Sequence, residues 1–396
     1  VDGTITSTIT IAVDDANSDD DFDGLDDQTL SVDTTDDDVA GFTIEETEGA
    51  TEVDESGSTD TFTVVLDAEP TSDVVLTITS DDTGEATVNN PLTFTPVNWD
   101  TPQTVTVTGT DDDLVDGTIT STITIAVDDA NSDDDFDSVA DQTVSVDTTD
   151  DDVAGFTIVE PDGATEVDES GSTDTFTVVL DAEPTSDVVL TITSDDTGEA
   201  TLNSPLTFTS ANWDTPQTVT VTGEDDDLVD GTITSTITVA VDDANSDDDF
   251  DSVADQTVSV DTTDDDVAGF TIEETEGATE VDESGSTDTF TVVLDAEPTS
   301  DVVLTITSDD TGEATVNNPL TFTPVNWDTP QTVTVTGTDD DLVDGTITST
   351  ITIAVDDANS DDDFDGLDDQ TLSVDTTDDD VAGFTIEETE GATEVD

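Results

Sequence analysis

The sequence predicts an all-β protein, a tandem array of immunoglobulin-like β-sandwich domains with a 114-residue repeat. Apolar residues alternate with threonine over short runs, as in strands with one buried face, and no helical period of 3.6 residues appears. The tetrapeptide Asp2-Gly3-Thr4-Ile5 recurs at Asp116, Asp230 and Asp344, always 114 residues further on. A period of this length suits a whole domain rather than one turn of a solenoid.

The apolar pattern restarts after each Asp triplet, and we place the domain boundaries there. This gives three complete repeats, 39–152, 153–266 and 267–380. Residues 1–38 are then the C-terminal part of a preceding repeat, and residues 381–396 are the first strand of a further one. We therefore expect the chain to be an interior piece of a longer array.

Within residues 39–152, eight runs are typical of strands. The first two are Gly41–Glu45 and Ala50–Val53. The later six have these residues facing inward: Phe62, Val64, Leu66; Val74, Leu76, Ile78; Leu92, Phe94; Val105, Val107; Ile119, Ile123, Ile125, Val127; Val144, Val146. Threonine on the opposite face fits a solvated sheet surface. Seven to nine short strands in about 110 residues are typical of an immunoglobulin-like sandwich.

The composition limits the possible functions. The 396 residues include 106 Asp and Glu but no Lys, Arg, His or Cys, which gives a formal charge of −106. Such self-repulsion opposes a compact state, so we expect cations to be needed for folding. Without basic residues to meet phosphates, no nucleic-acid partner is expected. No apolar run is long enough to span a bilayer.

Catalysis is not expected either, because Ser-His and Cys-His arrangements are impossible in this chain. Paired carboxylates alone can hydrolyse glycosides, but near-identical repeats argue against one specialised cleft.

The acidic residues are concentrated in the loops. In the first repeat they fall in Glu45–Glu55, at Asp81-Asp82, in Asp111–Asp116 and at Asp150–Asp152. Alternate loops of a sandwich emerge at the same end, so we expect these four clusters to converge on one pole. Crowded carboxylates repel unless a cation lies among them. With only hard oxygen donors present, calcium is the favoured ion and magnesium the second choice.

Four segments of the repeat resemble Calx-β domains: "VDESG" at Val53–Gly57, "LTFTPVNWDTPQTVTV" at Leu92–Val107, "DDDLVDG" at Asp111–Gly117 and "DTTDDD" at Asp147–Asp152. The resemblance covers each whole repeat. It implies calcium at one pole of the sandwich. The chain departs from the family pattern in having Asp116 where Glu is usual, and in its inserted loop Asp128–Asp137.

The ligands implied by this resemblance are one Glu and seven Asp in each repeat. In the first repeat they are Glu55, Asp82, Asp112, Asp113, Asp116, Asp150, Asp151 and Asp152. In the second they are Glu169, Asp196, Asp226, Asp227, Asp230, Asp264, Asp265 and Asp266. In the third they are Glu283, Asp310, Asp340, Asp341, Asp344, Asp378, Asp379 and Asp380.

The inserted loop is a weaker candidate, since "DDDFDG" at Asp19–Gly24 matches only the first half of a D-x-D-x-D-G calcium loop. Its candidate ligands are Asp19, Asp21, Asp23, Asp133, Asp135, Asp137, Asp247, Asp249, Asp251, Asp361, Asp363 and Asp365. The twelfth position holds Leu30 or Leu372 instead of a bidentate Glu, and Ser138 and Ser252 replace the glycine.

These features favour an extracellular structural protein, a calcium-rigidified stalk or filament for surface adhesion or matrix. Its expected partners are the neighbouring repeats of the same chain and, in a bundle, like chains. Two alternatives stay open: an acidic calcium-sequestering matrix or mineral-nucleating protein, and a ligand-binding adhesin whose head lies outside this stretch. For each acidic cluster, a solvated, salt-adapted surface is the competing explanation.

Overall fold

The computed structural model describes residues 1–47, 49–275 and 277–387. Residues before the first repeat form a two-stranded antiparallel sheet. Its strands are β1 (Ile5–Ile11) and β2 (Gln28–Thr34), and a 3-10 helix (Asp20–Phe22) lies between them.

Each complete repeat contains nine strands and one 3-10 helix in its described residues. The first has β3 (Phe42–Glu46), β4 (Thr51–Asp54), β5 (Thr59–Leu66), β6 (Val74–Ser80), β7 (Ala86–Val88), β8 (Leu92–Phe94), β9 (Gln103–Gly109), β10 (Ile119–Val127), a 3-10 helix (Asp134–Phe136) and β11 (Gln142–Thr149). The second has β12 (Phe156–Val159), β13 (Thr165–Asp168), β14 (Thr173–Leu180), β15 (Val188–Ser194), β16 (Ala200–Leu202), β17 (Leu206–Phe208), β18 (Gln217–Gly223), β19 (Ile233–Val241), a 3-10 helix (Asp248–Phe250) and β20 (Gln256–Thr263). The third has β21 (Phe270–Glu274), β22 (Glu280–Asp282), β23 (Thr287–Leu294), β24 (Val302–Ser308), β25 (Ala314–Val316), β26 (Leu320–Phe322), β27 (Gln331–Gly337), β28 (Ile347–Val355), a 3-10 helix (Asp362–Phe364) and β29 (Gln370–Thr377).

The strands of a repeat form two facing sheets. In the first repeat one sheet has the order β3-β5-β9-β7 and the other β4-β11-β10-β6-β8. All pairs are antiparallel except β4, which runs parallel to β11 with Val53 opposite Thr148. The second and third repeats have the same order. The predicted all-β, immunoglobulin-like sandwich array is therefore confirmed.

The core lies between the two sheets, where the alternation predicted it. Of the predicted inward residues, all but Ile119 and Val127 are buried. These two are the first and last residues of β10 and are partly buried, and Val127 still packs against the core. Trp99 also packs, partly buried, against the core.

One large core residue comes from the acidic inserted loop. Phe136 is fully buried, although four aspartates lie within four residues of it. Its equivalents Phe250 and Phe364 are buried in the same way. The loop is therefore attached to the sandwich by an apolar anchor, and its carboxylates are held at a defined place.

The end segments carry less structure. Residues 381–387 form no strand, and residues 388–396 of the predicted further strand lie outside the described residues. In the described part of the chain, no helix has the length and apolar character needed to cross a membrane.

Candidate metal centre

Four loops of each repeat meet at one end of the sandwich. In the first repeat Glu55 follows β4, Asp82 and Glu85 lie between β6 and β7, Asp112 and Asp116 lie between β9 and β10, and Asp150–Asp152 follow β11. The strands β4, β6 and β11 run in the same direction, so their C-terminal ends meet at one pole. We call this group of carboxylates the acidic pole.

Glu55 is the most buried member of the acidic pole. Its side chain is 1% exposed, and neither carboxylate oxygen has a hydrogen-bond partner. A buried carboxylate normally needs a paired cation or several hydrogen bonds. The chain contains no Lys, Arg or His that could supply the pairing charge. Glu55 therefore has the surroundings of a ligand for an added cation.

The oxygens around Glu55 form two groups with ion-binding spacing. One oxygen each from Glu55, Glu85 and Asp116 lie within 4.8 Å of one another. One oxygen each from Glu55, Asp150 and Asp152 form a second group with the same limit. Glu55 belongs to both groups, so its carboxylate links them.

Without a cation, the crowded carboxylates of the pole have raised pKa values. Burial, followed by the charges of Asp112, Asp150, Glu85 and Asp116, raises the pKa of Glu55 to about 7. Burial and the neighbouring Asp116 charge also raise the pKa of Glu85. Burial and the Asp112 charge likewise raise the pKa of Asp116. A bound divalent cation would reverse these shifts, because it favours the ionised form.

Asp150 organises the pole through backbone hydrogen bonds. Its Oδ2 accepts from the N–H of Asp116 at 3.0 Å and of Gly117 at 2.9 Å, and its Oδ1 accepts from the N–H of Asp152 at 2.7 Å. The loop after β9 is thereby attached to the end of β11. The side chain of Asp112 accepts a hydrogen bond from the N–H of Leu114, and that of Asp82 accepts one from the N–H of Gly84. These bonds fix the two local turns.

Gly109 permits the two sheets to meet beside Glu55. A Cβ atom at this position would lie 1.9 Å from the carbonyl oxygen of Asp54. Gly223 and Gly337 make the same approach to Asp168 and Asp282. The sequence "TVTG" at the end of β9 therefore reflects a steric requirement of the acidic pole.

The other repeats have equivalent poles. The converging oxygens belong to Glu169, Asp264 and Asp266 in the second repeat. In the third they belong to Glu283, Asp378 and Asp380, and to Glu313, Asp340 and Asp344. Glu169 is 1% exposed and Glu283 is fully buried, and burial raises the pKa of each carboxyl to about 7.

Not every predicted ligand joins a converging group. In the first repeat the groups include Glu55, Asp116, Asp150 and Asp152, whereas Asp82 and Asp112 act there as neighbouring charges. Asp340, the counterpart of Asp112, joins a group in the third repeat, and Asp230, the counterpart of Asp116, joins none among the described residues of the second. Asp113 and Asp151 are exposed, and they lie close enough to raise the pKa of Asp152, after burial and Asp150. The ligand roles of these residues stay predictions.

Sequence reasoning missed Glu85, the third member of the first group. It is 6% exposed, and its Oε2 has no hydrogen-bond partner. Its only sequence signal is that it follows Asp82 by three residues in the turn "DDTGEA", directly before the buried Ala86. Glu199 and Glu313 occupy the same position in the later repeats.

The inserted loop has a structural role that the calcium-loop pattern does not predict. Asp133 Oδ2 accepts from the hydroxyl of Thr71 at 2.8 Å and from the N–H of Ser72 at 2.7 Å. Asp133 Oδ1 accepts from the N–H of Asp135 at 3.1 Å. Both oxygens of the first predicted ligand are therefore already engaged. Among the residues that the structure describes, the predicted ligands of this loop do not appear in a converging group.

The loop after β9 also contacts the next repeat. The N–H of Val115 donates to the carbonyl of Glu183 at 3.0 Å, and the N–H of Glu183 donates to the carbonyl of Asp113 at 2.7 Å. Val115 is 9% exposed and belongs to the core cluster of the second repeat. Val229 makes the same contact with Glu297. The acidic pole of one repeat therefore lies at its junction with the following repeat.

No protein-family model and no curated protein sequence matches the chain. Among solved structures, an endo-fucoidan hydrolase of glycoside hydrolase family 107 is similar at 13% identity and TM-score 0.22, covering 87% of this chain and 45% of that one. CBD12 from CALX1.2 is similar at 16% identity and TM-score 0.22, covering 50% and 80%. Extracellular cadherin domains 1–4 of Protocadherin Gamma B7 are similar at 12% identity and TM-score 0.32, covering 90% and 80%. The chain thus spans less than half of the hydrolase, and these scores are too low to assign a family or a function.

Proposed function

We propose that the chain is an extracellular structural protein in which calcium at each acidic pole stiffens a stalk or filament of immunoglobulin-like repeats. The observation that carries this proposal is the buried, unpartnered carboxylate of Glu55 and its counterparts, placed beside the junction between repeats. The Calx-β-like motifs agree with calcium at this pole. Surface adhesion or matrix formation is the role that such a stalk would serve.

The donor set favours calcium over other ions. The pole of the first repeat offers carboxylate oxygens from five residues in two overlapping groups, and calcium takes about six to eight oxygen ligands with flexible geometry. Magnesium requires a stricter octahedral arrangement and retains water, so it suits this crowded pole less well. Zinc and copper usually take His or Cys ligands, and the chain contains neither.

Stiffness follows from the position of the ligands in the loop "DDDLVDG". Asp112 and Asp116 face the acidic pole, while the residues between them, Leu114 and Val115, contact the next repeat. An ion that fixes this loop therefore fixes the junction as well. Extracellular modules bind calcium at roughly 10⁻⁴ to 10⁻³ M, which matches calcium outside cells.

Small-angle X-ray scattering of the full chain tests this function. In molar sodium chloride we expect a stiff, extended particle with millimolar calcium, and a more flexible one of smaller maximum dimension with a chelator. High sodium chloride screens general repulsion in both samples, so the difference reports specific ions. An unchanged scattering profile on chelation would refute the stiffened stalk.

The second candidate is a calcium-sequestering matrix or mineral-nucleating protein. It is favoured by the many exposed aspartates outside the poles, such as Asp134 and Asp135 in the inserted loop. Equilibrium dialysis separates the two functions by stoichiometry. A few saturable ions per repeat support the stalk, whereas many weak ions that sodium displaces support the matrix protein.

A further inference from the structure

Strands β4 and β11 lie on the direct path of tension through each repeat. β4 follows β3, the first strand of the repeat, and β11 is the last strand. Among the described strands of the repeat they are the only parallel pair, with Val53 opposite Thr148. A pull from the preceding repeat therefore acts, through β3, on the N-terminal end of β4. A pull from the following repeat acts on the C-terminal end of β11, so tension makes the two strands slide past each other.

The ladder between β4 and β11 resists this sliding with all its hydrogen bonds at once. Its residue pairs run from Thr51 opposite Val146 to Asp54 opposite Thr149. The N–H of Glu55 extends it by donating to the carbonyl of Thr149 at 3.1 Å. The hydrogen bonds of a parallel ladder are evenly spaced, so sliding strains them together, whereas peeling would break them one at a time. The bond at the end of the ladder recurs, also at 3.1 Å, from Glu169 to Thr263 and from Glu283 to Thr377.

One group of carboxylates joins the C-terminal ends of these two strands. Glu55 directly follows β4, and Asp150 and Asp152 come immediately after β11. One oxygen from each of the three residues lies within 4.8 Å of the other two. Glu55 is 1% exposed and neither of its oxygens has a hydrogen-bond partner, and Asp152 Oδ2 is likewise buried and unpartnered. The group therefore has the surroundings of a cation site that bridges β4 and β11.

This bridging group recurs in all three complete repeats. Its members are Glu169, Asp264 and Asp266 in the second repeat, and Glu283, Asp378 and Asp380 in the third. The third repeat has the group although Val343, the counterpart of the docked Val115, is 57% exposed. The bridge between the two strands is therefore a property of the single repeat and does not depend on docking at the junction.

We infer that a calcium ion in this group makes each repeat resist unfolding under tension. Sliding by one residue moves Glu55 about 3.3 Å along β11. This displacement is larger than a calcium–oxygen distance of about 2.3–2.6 Å, so the ion must lose Glu55 or the two aspartates before the ladder slips. Asp150 also accepts from the N–H groups of Asp116 and Gly117, which ties the ion to the loop after β9. The inference rests on the proposed calcium sites and adds a load-bearing function to the stiff stalk.

Single-molecule force spectroscopy of the full chain, held by its two ends, tests the inference. At constant force in molar sodium chloride, the complete repeats should unfold roughly tenfold more slowly with about 1 mM free calcium than with a chelator. This is the factor by which a site with a dissociation constant of about 10⁻⁴ M is stabilised at that concentration, and it applies in full if the ion leaves before the ladder slips.

Two matched variants separate the bridge from calcium binding in general. The first, Asp152→Asn with Asp266→Asn and Asp380→Asn, removes one charged ligand from each bridging group. It should lose most of the calcium effect on forced unfolding. The control, Glu85→Gln with Glu199→Gln and Glu313→Gln, removes a buried carboxylate of the same pole that does not lie between β4 and β11. It should retain the effect, and circular dichroism verifies that both variants are folded.

The outcomes distinguish this inference from the proposed function. Loss of the calcium effect in the aspartate variant alone supports an ion that bridges the two strands. Equal losses in both variants would overturn the inference, as would equal unfolding rates with calcium and with chelator in a chain that binds calcium by calorimetry. Either result leaves the stiffened stalk standing. If calcium slows forced unfolding but chelation leaves the scattering profile unchanged, the stiffened stalk fails and the load-bearing ion stands. If calorimetry detects no calcium binding, both fail.

Discussion

The buried glutamate of each repeat is the residue on which the proposed calcium response depends. Glu55 lies where a hydrophobic residue would stabilise a metal-free sandwich, next to the buried Val53. Its carboxylate lacks hydrogen bonds and faces Glu85, Asp116, Asp150 and Asp152. Without an ion the folded state must either protonate this group or hold an uncompensated charge. We therefore regard Glu55, Glu169 and Glu283 as residues that weaken the metal-free fold so that calcium can stabilise it.

Replacing the three glutamates tests whether they weaken the metal-free fold and allow calcium to stabilise it. In the variant Glu55→Gln, Glu169→Gln and Glu283→Gln, we expect the stability in chelator at pH 8 to rise by about 1–2 kcal/mol per repeat, because a buried charge is removed. In millimolar calcium the same variant should lose most of the stabilisation by the ion. Chemical denaturation in both solutions measures the two effects. The control is Glu52→Gln, an exposed position on β4, which should change neither value. A variant that is destabilised equally in both solutions would contradict this role for the glutamates.

The pH dependence of the metal-free protein follows from the same residues. Burial raises the pKa of Glu55 and Glu169 from 4.5 to about 7. The folded state therefore binds protons more tightly than the unfolded state, and this stability is present below pH 4.5 and lost as the pH rises toward 7. In chelator we expect the melting temperature to fall across this window, and the triple glutamine variant to show a flatter profile. A melting temperature that rises between pH 4.5 and about 7 would contradict the raised pKa of these buried glutamates.

At the residue scale, the sequence could predict much of the acidic pole because aspartates and glutamates stand out in a strand pattern. Glu55, Asp116, Asp150 and Asp152 were predicted and do converge. Glu85 was not, because a single Glu in a turn has no distinguishing signal until the fold brings it to Glu55. Phe136 was missed for the opposite reason, since its acidic surroundings concealed a core residue.

At the element scale, every strand of the first repeat was predicted except β7. The runs in β5, β6, β9, β10 and β11 bury every second residue, as period-two alternation requires. The missed strand β7, Ala86–Val88, has three residues and buries only Ala86, whereas the equally short β8 has two large apolar residues, Leu92 and Phe94, on its buried face. Strand β7 exists because it pairs with β9, and Val88 lies opposite Val107. Tertiary pairing therefore determines this strand, not its local sequence.

The loop "DDDLVDG" joins the proposed metal site to the docked surface between repeats. In an isolated domain, the apolar pair Leu114 and Val115 of this acidic loop would have no apolar surface to pack against. The pair is explained by the contact with Glu183 and by the core of the next repeat. This role could not be predicted from one repeat, because the partner of the pair lies 68 residues further along the chain.

Truncating the docked valines should loosen the junctions without unfolding the repeats. In the variant Val115→Ala and Val229→Ala we expect the calcium-bound repeats to unfold less cooperatively. The melting temperature should fall by a few degrees, consistent with about 1 kcal/mol for each partly lost side chain. Differential scanning calorimetry of the full chain measures both. Val343→Ala is the matched control, because the same loop position is 57% exposed in the third repeat. Equal effects of the docked and exposed valines would exclude docking as their role.

At the scale of the whole molecule, charge is the main obstacle to a compact array. The formal charge of −106 is spread over repeats that contact each other through their most acidic ends. Sodium screens exposed charges over about 8–10 Å but acts less on buried groups such as Glu55. Bound divalent ions neutralise charge where the carboxylates are closest. Because the Asp triplets lie at the junctions, the proposed stalk predicts that each junction depends on the ion.

Calcium binding at the proposed sites is expected to raise the melting temperature by an amount that thermal unfolding can measure. With a dissociation constant of about 10⁻⁴ M, about 1 mM free calcium contributes roughly 1.4 kcal/mol per site. Two sites in a repeat would then raise its melting temperature by roughly 10 °C.

The measurement that tests the central claim most directly is thermal unfolding of the full chain in molar sodium chloride, first with millimolar calcium and then with chelator. The account predicts that chelation lowers the melting temperature by roughly 10 °C or more and that added sodium chloride does not restore it. If sodium chloride alone gives the melting temperature observed with calcium, the carboxylates are a salt-adapted surface, and the calcium-stiffened junction is contradicted.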